Sequence, residues 1–155
     1  MRRHRHQLSA VLTESKEVPI KYPVDRKTIV LCDFSMGGFK PPEMVKRRPC
    51  VVLVGHLPNR TGLATVVPLS GTPAPPSCDY QCQITLENRL PAPFDQQKEW
   101  WVKADMVATV SFVRLDLLRT SRDEGGRRTY VMPRVTEEQY EKIRATILRA
   151  LRFDR

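Results

Sequence analysis

Thr28-Ile-Val-Leu-Cys-Asp-Phe34 and Cys50-Val-Val-Leu-Val54 are two short apolar runs, joined by Ser35-Met-Gly-Gly-Phe-Lys-Pro-Pro-Glu-Met-Val-Lys-Arg-Arg48-Pro49. Both are rich in β-branched residues, too short for a typical helix, and bounded by Gly37-Gly38 or by Pro49, so each predicts a buried strand. The same texture recurs downstream. Ala64-Thr-Val-Val67 precedes Pro68, Gln83-Ile-Thr-Leu86 alternates as a half-buried strand does, and Trp101-Val102, Met106 to Phe112 and Arg128-Thr-Tyr-Val131 supply further candidates. Short strands separated by Gly- and Pro-rich loops predict a mainly β domain, a small barrel or sandwich, rather than a parallel sheet with crossover helices.

The end of the chain reads differently. Thr136-Glu-Glu-Gln139 has the form of a capping box, with Thr136 as N-cap and Gln139 reaching back to it. Tyr140, Ile143, Ile147 and Leu151 then recur at helical spacing, off the line of Arg144, Arg149 and Arg152. An amphipathic C-terminal helix of about four turns is expected, with that stripe packed on the barrel. Residues 1–25 are polar and charged, beginning Met-Arg-Arg-His-Arg-His, and are expected to form a flexible basic extension; residues 26–155 form the barrel domain.

The chain carries 26 Lys+Arg against 17 Asp+Glu, a net charge of +9 that favours a polyanionic partner without choosing among RNA, DNA, an acidic protein and an acidic membrane surface. No run approaches the roughly 20 apolar residues that span a bilayer. The N-terminal charges are not followed by the apolar segment of a secretory signal. Cys32 and Cys50 lie inside apolar runs, where a free thiol packs as a small hydrophobe, and Cys78 and Cys82 lack metal-ligand spacing. No metal and no cofactor are expected, and a reducing cytoplasm suits this cysteine usage.

Candidate chemistry lies at strand ends and loops, where a barrel presents functional side chains. Glu43 and Arg48 bracket the approach to the second strand, Ser70 follows the third in Val-Val-Pro-Leu-Ser, and Lys103 and Asp105 sit in Trp-Val-Lys-Ala-Asp-Met-Val. His56, the one histidine outside the N-terminal extension, follows the second strand in a loop and is not expected to be catalytic. Trp100 and Trp101 are adjacent, so on a strand one faces the core while the other is available to a base or to an interface.

A strand ending in Asp-Phe, a Gly-containing loop and then Glu-x-x-x-x-Arg-Pro-x-Val-Val-Leu resembles the opening of the PemK/MazF toxins. Val-Pro-Leu-Ser is similar to their Val-Pro-x-Thr/Ser step, and Trp-Val-Lys-Ala-Asp-Met-Val to the segment that holds their second charged pair. With the closing helix, the resemblance covers roughly residues 27–152. It implies an SH3-like β-barrel with a C-terminal α-helix, acting as a homodimer in the bacterial cytoplasm, encoded by a bacterium or phage. It implies metal-independent cleavage of single-stranded RNA at short motifs, leaving a 2′,3′-cyclic phosphate and a 5′-hydroxyl, and neutralisation by a cognate antitoxin with an acidic tail.

Carried over by position, the resemblance gives Arg48 the scissile phosphate, Ser70 a hydrogen bond to it, Asp105 the part of general base, and Lys103 a second cation with Glu43 nearby. Lys46, Arg47, Lys40 and Trp101 are expected to contact RNA. The sequence departs from the pattern in a long Pro-containing loop over 37–46, an expanded segment over 86–100, serine at 70 where threonine is common, and lysine at 103 where an arginine aligns. Two other readings stay open at this point: a non-catalytic nucleic-acid-binding module of SH3-like fold, and a gyrase-poisoning toxin on the same barrel.

Overall fold

The computed structural model describes residues 19–154. Its elements are β1 (Ile29–Asp33), β2 (Arg47–Val54), β3 (Leu63–Ser70), β4 (Gln81–Thr85), β5 (Glu99–Lys103), β6 (Ala108–Ser111), β7 (Leu115–Asp116), β8 (Leu118–Arg122), β9 (Arg128–Val131) and α1 (Glu137–Ala150). All strand pairs are antiparallel, in the order β4-β5-β3-β2-β1-β7, with β6 also pairing β3; β8 and β9 form a separate hairpin. This is the mainly β architecture with a closing helix that the strand pattern predicts.

β3 sets the bend of the sheet. One edge pairs with β2, while the other pairs first with β6 over Leu63–Val66 and then with β5 at Leu69 and Ser70. The strand therefore runs past Pro68, which lies opposite Cys50, and ends on Ser70 rather than at Val67. Likewise β2 begins at Arg47, not Cys50: its register with β1 continues from Leu31 and Pro49 to Cys32 and Arg48, then Asp33 and Arg47. Arg48 is thus a strand residue.

Continuous apolar runs arise because both faces of the sheet are covered. Alternate residues of β1, β2 and β3 serve two cores. Ile29, Val51, Val67 and Leu69 join Trp100, Val102 and Ile143 of α1 in the first; Val30, Cys32, Cys50, Val52, Ala64 and Val66 join Phe34, Val110 and Leu115 in the second. Burial, and the Cys32 thiol beside it, push the Cys50 thiol well above its ordinary pKa, so it stays protonated and packs as a hydrophobe.

The capping box is present in full: Gln139 N donates to Thr136 Oγ1 at 3.1 Å, and Thr136 N to Gln139 Oε1 at 3.0 Å. Ile143 is fully buried and Tyr140 and Ile147 pack against the same core, but Leu151 is 50% exposed because the helix stops at Ala150. The expected stripe is therefore one residue shorter than its sequence spacing. The helix is also strapped to β4 and to the loop before it: Gln139 donates to Thr85 O, Lys142 to Gln83 O, and Arg149 and Arg152 to Asp79.

Most of the basic extension expected over residues 1–25 lies outside the described residues. Its last part is described: Ile20 N donates to Leu115 O at 2.9 Å, and Val24 is buried in the second core.

Candidate active site

Strand alternation assembles the polar face. On β2, Arg48 shares its side of the sheet with Cys50 and Val52, while Arg47 points the other way. On β3, Ser70 falls on the side of Ala64 and Val66. β5 pairs Ser70 with Trp101, and Trp101 and Lys103 alternate with the core residues Trp100 and Val102. The β2–β3 register that sets Cys50 opposite Pro68, carried two residues further, brings Arg48 across from Ser70. Four of the sequence-predicted residues, Arg48, Ser70, Trp101 and Lys103, thus share one face at one end of the sheet.

Hydrogen bonds lock part of this group. Ser70 is buried, and its Oγ accepts from Thr72 N at 3.2 Å. Lys103 Nζ donates to the carbonyl of that same Thr72 at 3.2 Å, and to Gln81 Oε1 at 2.7 Å. Thr72 and Gln81 carry no motif signal; the register of β4 and β5, which pairs Gln81 with Lys103, is what brings the second of them in.

Charges converge here too. The pKa of Lys103 is held below its ordinary value, chiefly by burial and further by the nearby Arg48, against the opposing pull of Asp105 and Cys78. Asp105 lies in a 3-10 turn, Ala104–Met106, directly after β5 and is exposed. Arg48 is half-buried, and its Nε, shielded from solvent, has no partner among the described residues. A cation with a spare buried donor, a second cation of lowered pKa, a hydroxyl and a carboxylate can together bind a phosphate diester and move protons around it.

The remaining predicted residues lie off that sheet face. Glu43 is in the loop between β1 and β2, where its Oε2 accepts from Lys40 N at 2.6 Å while Glu43 N donates to Lys40 O at 2.8 Å. Lys40 and Lys46 are exposed on that loop. Arg114 holds the loop's near end, donating to Asp33 O at 3.3 Å and Gly37 O at 2.6 Å with its guanidinium 4.8 Å from the Phe39 ring centre. Arg47 opens on the opposite face, lining a cavity of about 220 Å³ with Arg119 and Arg128. A larger cavity, about 920 Å³, lies between the 86–92 segment and the β8–β9 hairpin and contains none of Arg48, Ser70, Lys103 or Asp105.

Among the described residues, no three His, Cys, Asp or Glu side chains gather as a metal site requires. No helix among them is long and apolar enough to cross a membrane.

Known structures share this fold. The chain is similar to an endoribonuclease from a mycobacterial species, in complex with its cognate antitoxin, at 18% identity and a TM-score of 0.54 over 84% of this chain and 96% of that one. It is similar to MazF from Deinococcus radiodurans at 19% identity and a TM-score of 0.52, over 84% and 97% of the two chains. No curated protein matches it in sequence. The model of the PemK-like, MazF-like toxins of type II toxin–antitoxin systems matches residues 25–151, and the chain belongs to that family.

Proposed function

We propose that this protein is an endoribonuclease toxin that cleaves single-stranded RNA by transesterification. The observation that carries the reading is the convergence of Arg48, Lys103 and Asp105 beside the buried Ser70 at one end of the sheet. Arg48 grips the scissile phosphate, its planar fork suited to two oxygens and its buried Nε partnered by the anion. Ser70 donates its hydroxyl proton to the same phosphate.

Asp105 takes the proton of the ribose 2′-hydroxyl. The 2′-oxygen forms its bond to phosphorus, and the bond from phosphorus to the 5′-oxygen breaks. Lys103 hands a proton to that leaving oxygen, a transfer eased by its lowered pKa. Products are a 2′,3′-cyclic phosphate and a 5′-hydroxyl. The two cations supply the charge stabilisation that a metal supplies elsewhere, so the reaction proceeds without one.

Family membership supports a cognate antitoxin as partner, and the +9 charge suits both RNA and an acidic antitoxin segment. A homodimer working in the cytoplasm completes the reading. Leu148, Leu151 and Phe153, exposed around the helix C-terminus, offer apolar surface to a second copy.

The test is incubation of the purified protein with single-stranded RNA in excess EDTA, alongside Arg48→Ala. Cleavage that survives EDTA, yields cyclic-phosphate ends and disappears in the variant is expected. RNA binding without cleavage by the unsubstituted protein would overturn the reading.

A further inference from the structure

A cavity of about 370 Å³ separates the β1–β2 loop from the turn after β5. Its walls combine Phe39, Pro42, Met44 and Met106 with two carboxylates, Glu43 and Asp105. The volume is near the lower end of the roughly 300–1,000 Å³ that small-ligand sites occupy, the size for one flat ring system rather than a folded partner. Phe39 offers an aromatic wall, and its edge-on contact with the buried Phe34, ring centres 5.3 Å apart, holds it in place. Arg114 fixes the same ring from outside. As carboxylates, both accept hydrogen bonds and neither donates.

We infer that this cavity is a nucleobase subsite that selects guanine, the base of the nucleotide whose 2′-hydroxyl is attacked. Apolar and aromatic walls bind the ring faces of any base. Carboxylate acceptors sort bases by the protons on their edges, and guanine presents the N1 and N2 protons side by side. That pair suits a carboxylate, whereas the carbonyl-rich edge of uracil meets it with like partial charge. Glu43 is well placed to make this choice: its Oε2 accepts from Lys40 N, which fixes the side chain, and each oxygen keeps a lone pair to take one of the two guanine protons. Because Asp105 borders the cavity, a base seated there sets its own ribose beside the proposed proton acceptor. The place of this base before the cleaved bond rests on the ribonuclease reading; the presence of the pocket does not.

Two measurements separate those dependencies. In the first, guanosine, cytidine and uridine monophosphates are titrated against the full chain carrying labelled methionine methyls. Guanosine monophosphate is expected to shift the Met44 and Met106 signals at concentrations at least tenfold below those at which uridine monophosphate does. Equal response to the three, or none, overturns the inference even if the protein cleaves RNA. In the second, a randomised RNA pool is cleaved and its ends sequenced.

Guanine should be enriched immediately before the cut, and Glu43→Gln should reduce that enrichment several-fold, whatever the change in overall rate. Glutamine keeps an acceptor for Lys40 N but sets a donor group against the guanine protons. An unchanged preference in this variant, or an unchanged affinity for guanosine monophosphate in Phe39→Leu, overturns the subsite. No cleavage at all by the unsubstituted protein overturns the ribonuclease reading and the placement before the cut, and the nucleotide titration then decides the pocket by itself.

Discussion

The Lys103 ammonium and the Gln81 side-chain carbonyl meet at 2.7 Å across the first rung of the β4–β5 ladder. With Thr72 O at 3.2 Å, Gln81 fixes where the ammonium points. Replacing Gln81 with leucine keeps most of the volume and removes the acceptor. A hydrogen bond to a charged group contributes about 1.5–3 kcal/mol; part of that loss should appear as a kcat reduced about tenfold with KM little changed. Glutamate at the same position restores an acceptor and should recover most of the rate.

The lowered pKa of Lys103 has a sign that kinetics can read. As pH rises, a lysine held below its ordinary value of 10.5 loses its proton earlier than an exposed one. In its proposed role as proton donor, the activity it supports is therefore full on the acid side of that lowered pKa and declines above it. Lys103→Arg, whose guanidinium stays charged throughout, should remove this alkaline limb while lowering the plateau rate, because arginine is a poorer proton donor. A pH–rate profile of both proteins checks it.

Arg47 and Arg48 are neighbours with opposite outlooks, and their substitutions should separate. Arg48→Ala removes the charged donor proposed to hold the phosphate and should cost about 100- to 1,000-fold in kcat. Arg47→Ala should leave single-turnover cleavage at saturating protein nearly unchanged. If Arg47 contacts RNA, as the sequence suggests, its loss should flatten the slope of log affinity against log salt by about 0.7.

Stability should follow burial along α1. Ile143→Ala empties a fully buried site in the first core and should cost about 2–5 kcal/mol in a urea melt. Leu151→Ala, at a half-exposed position past the helix end, should cost far less. Thr136→Ala breaks the capping box and should cost about 1 kcal/mol.

Strand pattern, closing helix and capping box were legible in sequence because each is a local signal: alternation, an apolar run, a spacing of three. Register was not. Nothing local says that β2 reaches back to Arg47 or that β3 passes through Pro68; pairing with β1 and β2 decides both. β7 and β8 escaped notice because Leu115–Asp116 is only two residues long and β8 grades into exposed polar residues. The candidate site was proposed from sequence as a set of residue types at strand ends. Its supporting partners, Thr72 and Gln81, were not, since one contributes backbone and the other an amide without motif context. Glu43 and Asp105, 62 positions apart in sequence, meet at one cavity only through the tertiary fold.

The parity of β2 carries a consequence for how this protein can diverge. Shifting the strand by one residue against its neighbours would exchange Arg47 and Arg48 between faces and turn the apolar residues inside out, so its register admits no drift. The segment from Ser35 to Lys46 carries no such parity, because it lies outside every strand. Its length and its proline, aromatic and carboxylate content are free to vary while the cutting machinery stays put. Relatives that differ there should read different RNA words with the same blade.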